Sequence, residues 1–177
     1  SKGCSWVDVN ADGRPDLFVK VQEGPSTPRN VRDILYINYG TSFADEAAAR
    51  GIADGYVYGT HGAVFAPLFG ARRSFDAFVT TTYGGVHPAI DRLYRNLGTG
   101  IFEDATSSIV PAQTEDHDGR GVTVGDFDRD GDLDIFLTNP LPDPFDQSPY
   151  FSLGLSNFLI NNGLGTFTPM YRGIDWS

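Results

Sequence analysis

Carboxylates recur at every second position in the run Gly125-Asp126-Phe127-Asp128-Arg129-Asp130-Gly131-Asp132-Leu133-Asp134. A loop that winds several oxygens around one point suits a hard cation such as calcium, which binds oxygen at about 2.3–2.6 Å. A second copy stands near the start, Asp8-Val9-Asn10-Ala11-Asp12-Gly13-Arg14-Pro15-Asp16, with glycine at the same sixth position. Neither loop can close as an EF-hand does. The twelfth position, a bidentate Glu in that motif, is Val19 in one and Leu137 in the other.

Both loops instead carry Asp at the ninth position and run straight into residues 17–21 and 135–138, rich in β-branched and aromatic side chains. Strand-like residues 6–7 and 121–124 lead into them. Each loop therefore reads as the tip of a β-hairpin. Two calcium ions are expected, one per loop, held by side chains at positions 1, 3, 5 and 9 and the backbone carbonyl at position 7. Those ligands are Asp8, Asn10, Asp12, Asp16 and the Arg14 carbonyl, then Asp126, Asp128, Asp130, Asp134 and the Asp132 carbonyl.

A second signature follows each loop region: Ile34-Leu35-Tyr36-Ile37-Asn38-Tyr39-Gly40, Leu93-Tyr94-Arg95-Asn96-Leu97-Gly98 and Phe158-Leu159-Ile160-Asn161-Asn162-Gly163. An alternating strand, an Asn/Gly turn and a returning aromatic (Phe43, Phe102, Phe167) make hairpin chemistry, because Gly and Asn accept positive φ cheaply. Asn38, Asn96 and Asn161 are 58 and 65 residues apart; Asp16, Asp76 and Asp134 are 60 and 58 apart. The chain thus reads as three units of about sixty residues with four short strands each, the content of a propeller blade. The expected architecture is all-β, with three four-stranded antiparallel blades in a single domain, 1–177, divided at about 1–60, 61–119 and 120–177. The middle unit lacks carboxylates before Asp76, so no calcium is assigned there; Arg72 and Arg73 are expected to place positive charge at that loop.

The motif Gly-Asp-Phe-Asp-x-Asp-Gly-Asp-x-Asp, with Leu-Tyr-x-Asn-x-Gly-x-Gly-x-Phe, resembles the FG-GAP/VCBS repeat of integrin α-subunit propellers, some fungal lectins and large bacterial surface proteins. The resemblance implies a blade per repeat, a metal between its first and second strands, and the two ligand sets named above.

Composition narrows the function. A net charge of −10 argues against a basic surface for nucleic acid. No apolar run is long enough to span a membrane. Cys4 is the single cysteine and reads as a small hydrophobe. His61, His87 and His117 read as scattered loop residues, and no nucleophile elbow or phosphate loop is present, so no enzyme is expected. Calcium loops of modest affinity fill where calcium is millimolar, which favours an extracellular setting, secreted or at the cell surface.

Three blades leave two faces uncovered, so further blades, a second subunit giving six blades, or neighbours in an array or fibre are expected partners. The run from Gly173 to Ser177, continued into Ser1 to Asp8, would make a plausible unit junction. The role expected is structural, adhesive or in assembly. Alternatives are a carbohydrate-binding lectin, with Phe145, Tyr150 and Phe151 stacking on a glycan or protein ligand, and a fragment of a polysaccharide-active enzyme.

Overall fold

The computed structural model describes residues 3–21, 32–53, 60–70, 74–81, 91–109, 121–138 and 157–170. It is all-β, with one short 3-10 turn at Thr106–Ser108 among these residues. The first sheet holds β1 (Gly3–Val7), β2 (Asp16–Lys20), β3 (Ile34–Asn38) and β4 (Phe43–Asp45). The second holds β5 (Thr60–Ala66), β6 (Asp76–Thr81), β7 (Arg92–Asn96) and β8 (Phe102–Asp104). The third holds β9 (Gly121–Gly125), β10 (Asp134–Thr138), β11 (Asn157–Asn161) and β12 (Phe167–Met170). Each sheet is a four-stranded antiparallel meander in chain order. The first strands lie side by side, β1 against β5 and β5 against β9, so the blades stack in sequence.

Alternation along the second strands explains the stacking. Successive strand residues point to opposite faces, so a strand covered on both sides buries consecutive residues rather than every second one. In β6, Ala77 and Val79 join the core shared with the first blade, whereas Phe78 joins the core shared with the third. All six β6 residues are buried for that reason. β2 has one covered face: Asp16, Phe18 and Lys20 are buried, while Leu17 and Val19 are half-exposed. β10 buries Ile135 and Leu137 against the middle blade and leaves Phe136 only half-covered. Two hydrophobic seams, one per pair of neighbouring blades, are therefore the core.

Lys20 crosses the first seam, its Nζ donating to the His61 carbonyl at 2.8 Å, and burial pushes its amine below the usual range. His61 was expected in a loop; it sits within β5, because Thr60–Ala66 forms the long first strand of the middle sheet. His87 and His117 lie outside the described residues, as do Arg72, Arg73, Phe145, Tyr150 and Phe151.

Candidate metal centre

Both Asp-rich loops connect the first two strands of a blade, as the hairpin reading required. In the first loop, Asp8 accepts from the backbone N–H of Asp12 at 3.1 Å and of Gly13 at 2.8 Å. Asn10 Oδ1 accepts from Asp12 N–H at 3.2 Å, and Asp12 Oδ1 from Arg14 N–H at 2.9 Å. The third-blade loop repeats this wrap. Asp126 accepts from Gly131 N–H at 3.2 Å, Asp128 from Asp130 N–H at 3.1 Å, and Asp130 from Asp132 N–H at 2.9 Å. Turning the chain so tightly needs left-handed backbone at two positions in each loop. Gly13 and Gly131 take one (φ 83° and 98°); Ala11 and Arg129 take the other (φ 58° and 68°). Sequence reading found the glycines but not the fourth position, where alanine and arginine hide the requirement.

A non-glycine residue in this region costs about 1–2 kcal/mol, while glycine loses about 0.5–1 kcal/mol more chain entropy on folding. Ala11→Gly and Arg129→Gly are each expected to leave stability level or raise it by about 1 kcal/mol in EDTA, read by urea denaturation. A loss of comparable size would show that these loops do not hold the left-handed turn.

In the third-blade loop the candidate oxygens converge. Asp126, Asp128 and Asp130 each place a carboxylate oxygen within 4.8 Å of the others, all on exposed side chains. Oxygens on opposite sides of one calcium stand about 5 Å apart, so a single ion fits among them. The donors are all hard oxygens, which also suits calcium. Asp128 is held above the usual carboxylate range, first by local desolvation and then by the negative charges of Asp130, Asp134 and Asp126. In the first loop Asn10 stands in place of Asp128, and Arg14 Nη2 lies 2.6 Å from Asp12 Oδ2. Asp12 is accordingly held low, first by the Arg14 backbone N–H and also by the Arg14 charge. The two loops share a shape but differ in charge.

The ninth-position aspartates have a role that the spacing did not reveal. Asp16 accepts from Val9 N–H at 3.1 Å and Asn38 N–H at 2.8 Å; Asp134 accepts from Phe127 N–H and Asn161 N–H, both at 2.8 Å. Asp76 does the same in the loop that lacks other carboxylates. It takes Leu68 N–H at 2.8 Å, Phe69 N–H at 3.1 Å and Asn96 N–H at 2.9 Å. All three are fully buried clasps between a loop and the third strand, with or without a metal. Burial pushes Asp16 and Asp76 up, against the pull of these donors. A carboxylate offers about four lone-pair sites, so Asp16 and Asp134 retain capacity for an ion.

The middle loop is one residue longer than the other two, measured from Ala66 to Asp76 against Val7 to Asp16 and Gly125 to Asp134. Pro67 and Phe69 stand where the other loops place their first two acidic or amide side chains, Leu68 between them is fully buried like Val9, and Phe69 lies under the Arg95 guanidinium at 5.3 Å. Arg95 also favours the charged form of Asp76, so a cation from β7 compensates there.

The repeated asparagines turn out to be pins. Asn96 Nδ2 donates to Val9 O at 2.8 Å in the first blade's loop and to Phe75 O at 3.2 Å; its Oδ1 accepts from Gly98 and Gly100 N–H. Asn161 repeats every part, reaching Leu68 O at 2.8 Å in the middle blade's loop. The only sequence signal was their recurrence at the end of each third strand.

No curated protein matches the chain significantly. Residues 75–137, from the closing Asp76 of the middle loop to Leu137 in β10, match the family described as FG-GAP-like repeat. That matched stretch holds the closing Asp76 of the middle loop, the pin Asn96 and the whole third-blade loop.

Proposed function

We propose that this chain is a non-enzymatic, calcium-binding β-propeller module of a secreted or cell-surface protein, with a structural role in adhesion or assembly. The observation that carries the reading is the convergence of Asp126, Asp128 and Asp130 within 4.8 Å, in a loop whose wrap the first blade repeats. Calcium would complete each loop through these side chains, the ninth-position Asp, and the Arg14 or Asp132 carbonyl. It would tie the first two strands of the blade and offset charge the loop cannot disperse. The non-enzymatic part rests on the same geometry, since the carboxylates are already engaged by their own loops. Exposed loops of modest affinity suit the millimolar calcium outside cells.

Calorimetric titration is expected to find two calcium ions per chain, the tighter lost in Asp128→Ala. The third-blade loop should be the tighter site, because Arg14 competes for Asp12 in the first. Absence of any binding at millimolar calcium would end this reading.

Binding should also release protons and weaken in acid. A proton held on Asp128 excludes the metal, and Asp128 binds its proton above the usual carboxylate range. Affinity should therefore fall at both loops as pH drops towards the raised values of Asp128 in the third-blade loop and Asp16 in the first, although Asp12 is held low. Affinity that stays level as pH falls through the carboxylate range would contradict the assignment.

A further inference from the structure

The two seams differ at one place. After the fourth strand of a blade the chain turns and re-enters its seam at a fully buried isoleucine, Ile52 in the first blade and Ile109 in the middle one. The turns start alike: Glu46 N–H donates to Leu35 O as Ala105 N–H does to Leu93 O, both at 2.8 Å. Yet Ile52 stands nine residues beyond Phe43, and Ile109 only seven beyond Phe102. In the first seam the extra length carries Arg50 across to the next blade. Its Nη1 donates to Thr99 O at 3.0 Å and Gly100 O at 3.2 Å, and its Nε to Glu46 at 2.9 Å. Its carbonyl accepts from Phe102 N–H at 2.8 Å. This bridge closes the gap between the turn and the β7–β8 hairpin.

The shorter turn of the middle blade, residues 105–109, makes no such bridge among the described residues. A cleft of about 430 Å³ opens instead between it and the β11–β12 hairpin. Counted from Asn161, Leu164 and Gly165 match Thr99 and Gly100, and their carbonyls receive no donor among the described residues. Arg95 lies in this cleft, its guanidinium resting on the Phe69 ring, which packs against Gly165. Its Nε is buried without a partner, and its bond to Glu103 Oε1 is long at 3.4 Å. Ser107 and Ser108 line one wall, and the Leu164 side chain is 79% exposed at the rim. Donors, acceptors and one apolar patch therefore face a common space.

Charge decides the kind of ligand. Asp104 faces Arg92 at 3.6 Å as Glu103 faces Arg95, so the charges offset in pairs. An anion would be repelled by Glu103 and Asp104, and a cation by Arg95. A neutral ligand with adjacent hydroxyls meets neither penalty, because each hydroxyl can accept from the guanidinium and donate to the carboxylate or a carbonyl. The volume falls in the range of about 300–1,000 Å³ typical of small-molecule sites.

We propose that this cleft binds a neutral sugar ring. Arg95 and the serine hydroxyls donate to it, Glu103 and the Leu164 carbonyl accept from it, and the Leu164 side chain covers its C–H face. The inference adds a ligand to the structural role and depends on neither calcium nor the number of blades.

Isothermal titration in millimolar calcium tests it with methyl glucoside, galactoside and mannoside, and with glucuronate and protonated glucosamine as charged counterparts. At least one neutral glycoside should bind, and more tightly than both charged sugars. Glu103→Gln, on an exposed side chain, should weaken that binding about tenfold, since a hydrogen bond to a charged acceptor is lost. Inserting Arg-Gly between Ser108 and Ile109, the bridge of the first seam, should close the cleft and abolish binding. Leu164→Asp removes the apolar face at the rim and should abolish it too, which keeps the test decisive if the insertion unfolds the chain. Silence of all three neutral glycosides, tighter binding of a charged sugar, or binding that survives these changes overturns the proposal.

Discussion

Stripping calcium with EDTA should lower the melting temperature of this chain by about 10–20 °C. The size follows from mass action: an ion that binds only the folded state at about a hundred times its Kd adds about 2.7 kcal/mol, and two such sites add about 5 kcal/mol. For a chain of this length each kcal/mol moves the midpoint by about 2–4 °C. The physical origin is the crowding of carboxylates in each loop, above all Asp126, Asp128 and Asp130, which the empty loop can relieve only through its own N–H donors. Without the ion, repulsion works directly against the turn that joins β9 to β10. A double Asp126→Ala, Asp128→Ala variant should keep roughly half of the EDTA effect, through the first loop. Differential scanning calorimetry in millimolar calcium and in EDTA decides it; a shift under about 2 °C would remove calcium from the account of stability.

The two hairpin tips were legible in the chain because an Asp-rich turn is a local code. Its carboxylate positions, the sixth-position glycine and the strand that follows lie within one short run, and nothing distant changes where the turn falls. The three four-stranded sheets were legible for a similar reason, since alternation and Asn/Gly turns act over a few residues. What the chain hid depends on neighbours. Asp16, Asp76 and Asp134 read as metal ligands or failed ligands, yet each is a clasp whose partners include an N–H some twenty residues or more away. The middle loop's extra residue was invisible because counting back from Asp76 puts Leu68 at the first position. The structure, and the bond from Asn161, put it at the place of Val9. Which face of each blade is covered was also beyond the local pattern. Ala77, Val79 and Phe78 read alike as strand residues, and only stacking assigns them to different seams.

The asparagine pins give the sharpest mutational expectation. Asn96→Ala should cost about 3–5 kcal/mol, since four hydrogen bonds at a mean net value near 1 kcal/mol are lost and buried groups are left unpaired. The groups stranded are the carbonyls of Val9 and Phe75 and the N–H groups of Gly98 and Gly100. Solvent cannot replace them easily, because Val9 and Gly100 are buried in the first seam. Asn38→Ala supplies the internal control. Its side chain bonds to Pro15 O and Gly40 N–H near the surface, so the single chain should lose only about 1 kcal/mol. Asn96→Asp separates the halves of the pin: it keeps an acceptor for the glycine N–H groups but turns a carboxylate towards two carbonyls, and should be no better than alanine. Urea denaturation with an unchanged m-value reads these losses as stability alone. Equal costs at positions 38 and 96 would mean that the bond across the seam contributes little, and that apolar packing by itself holds successive blades together.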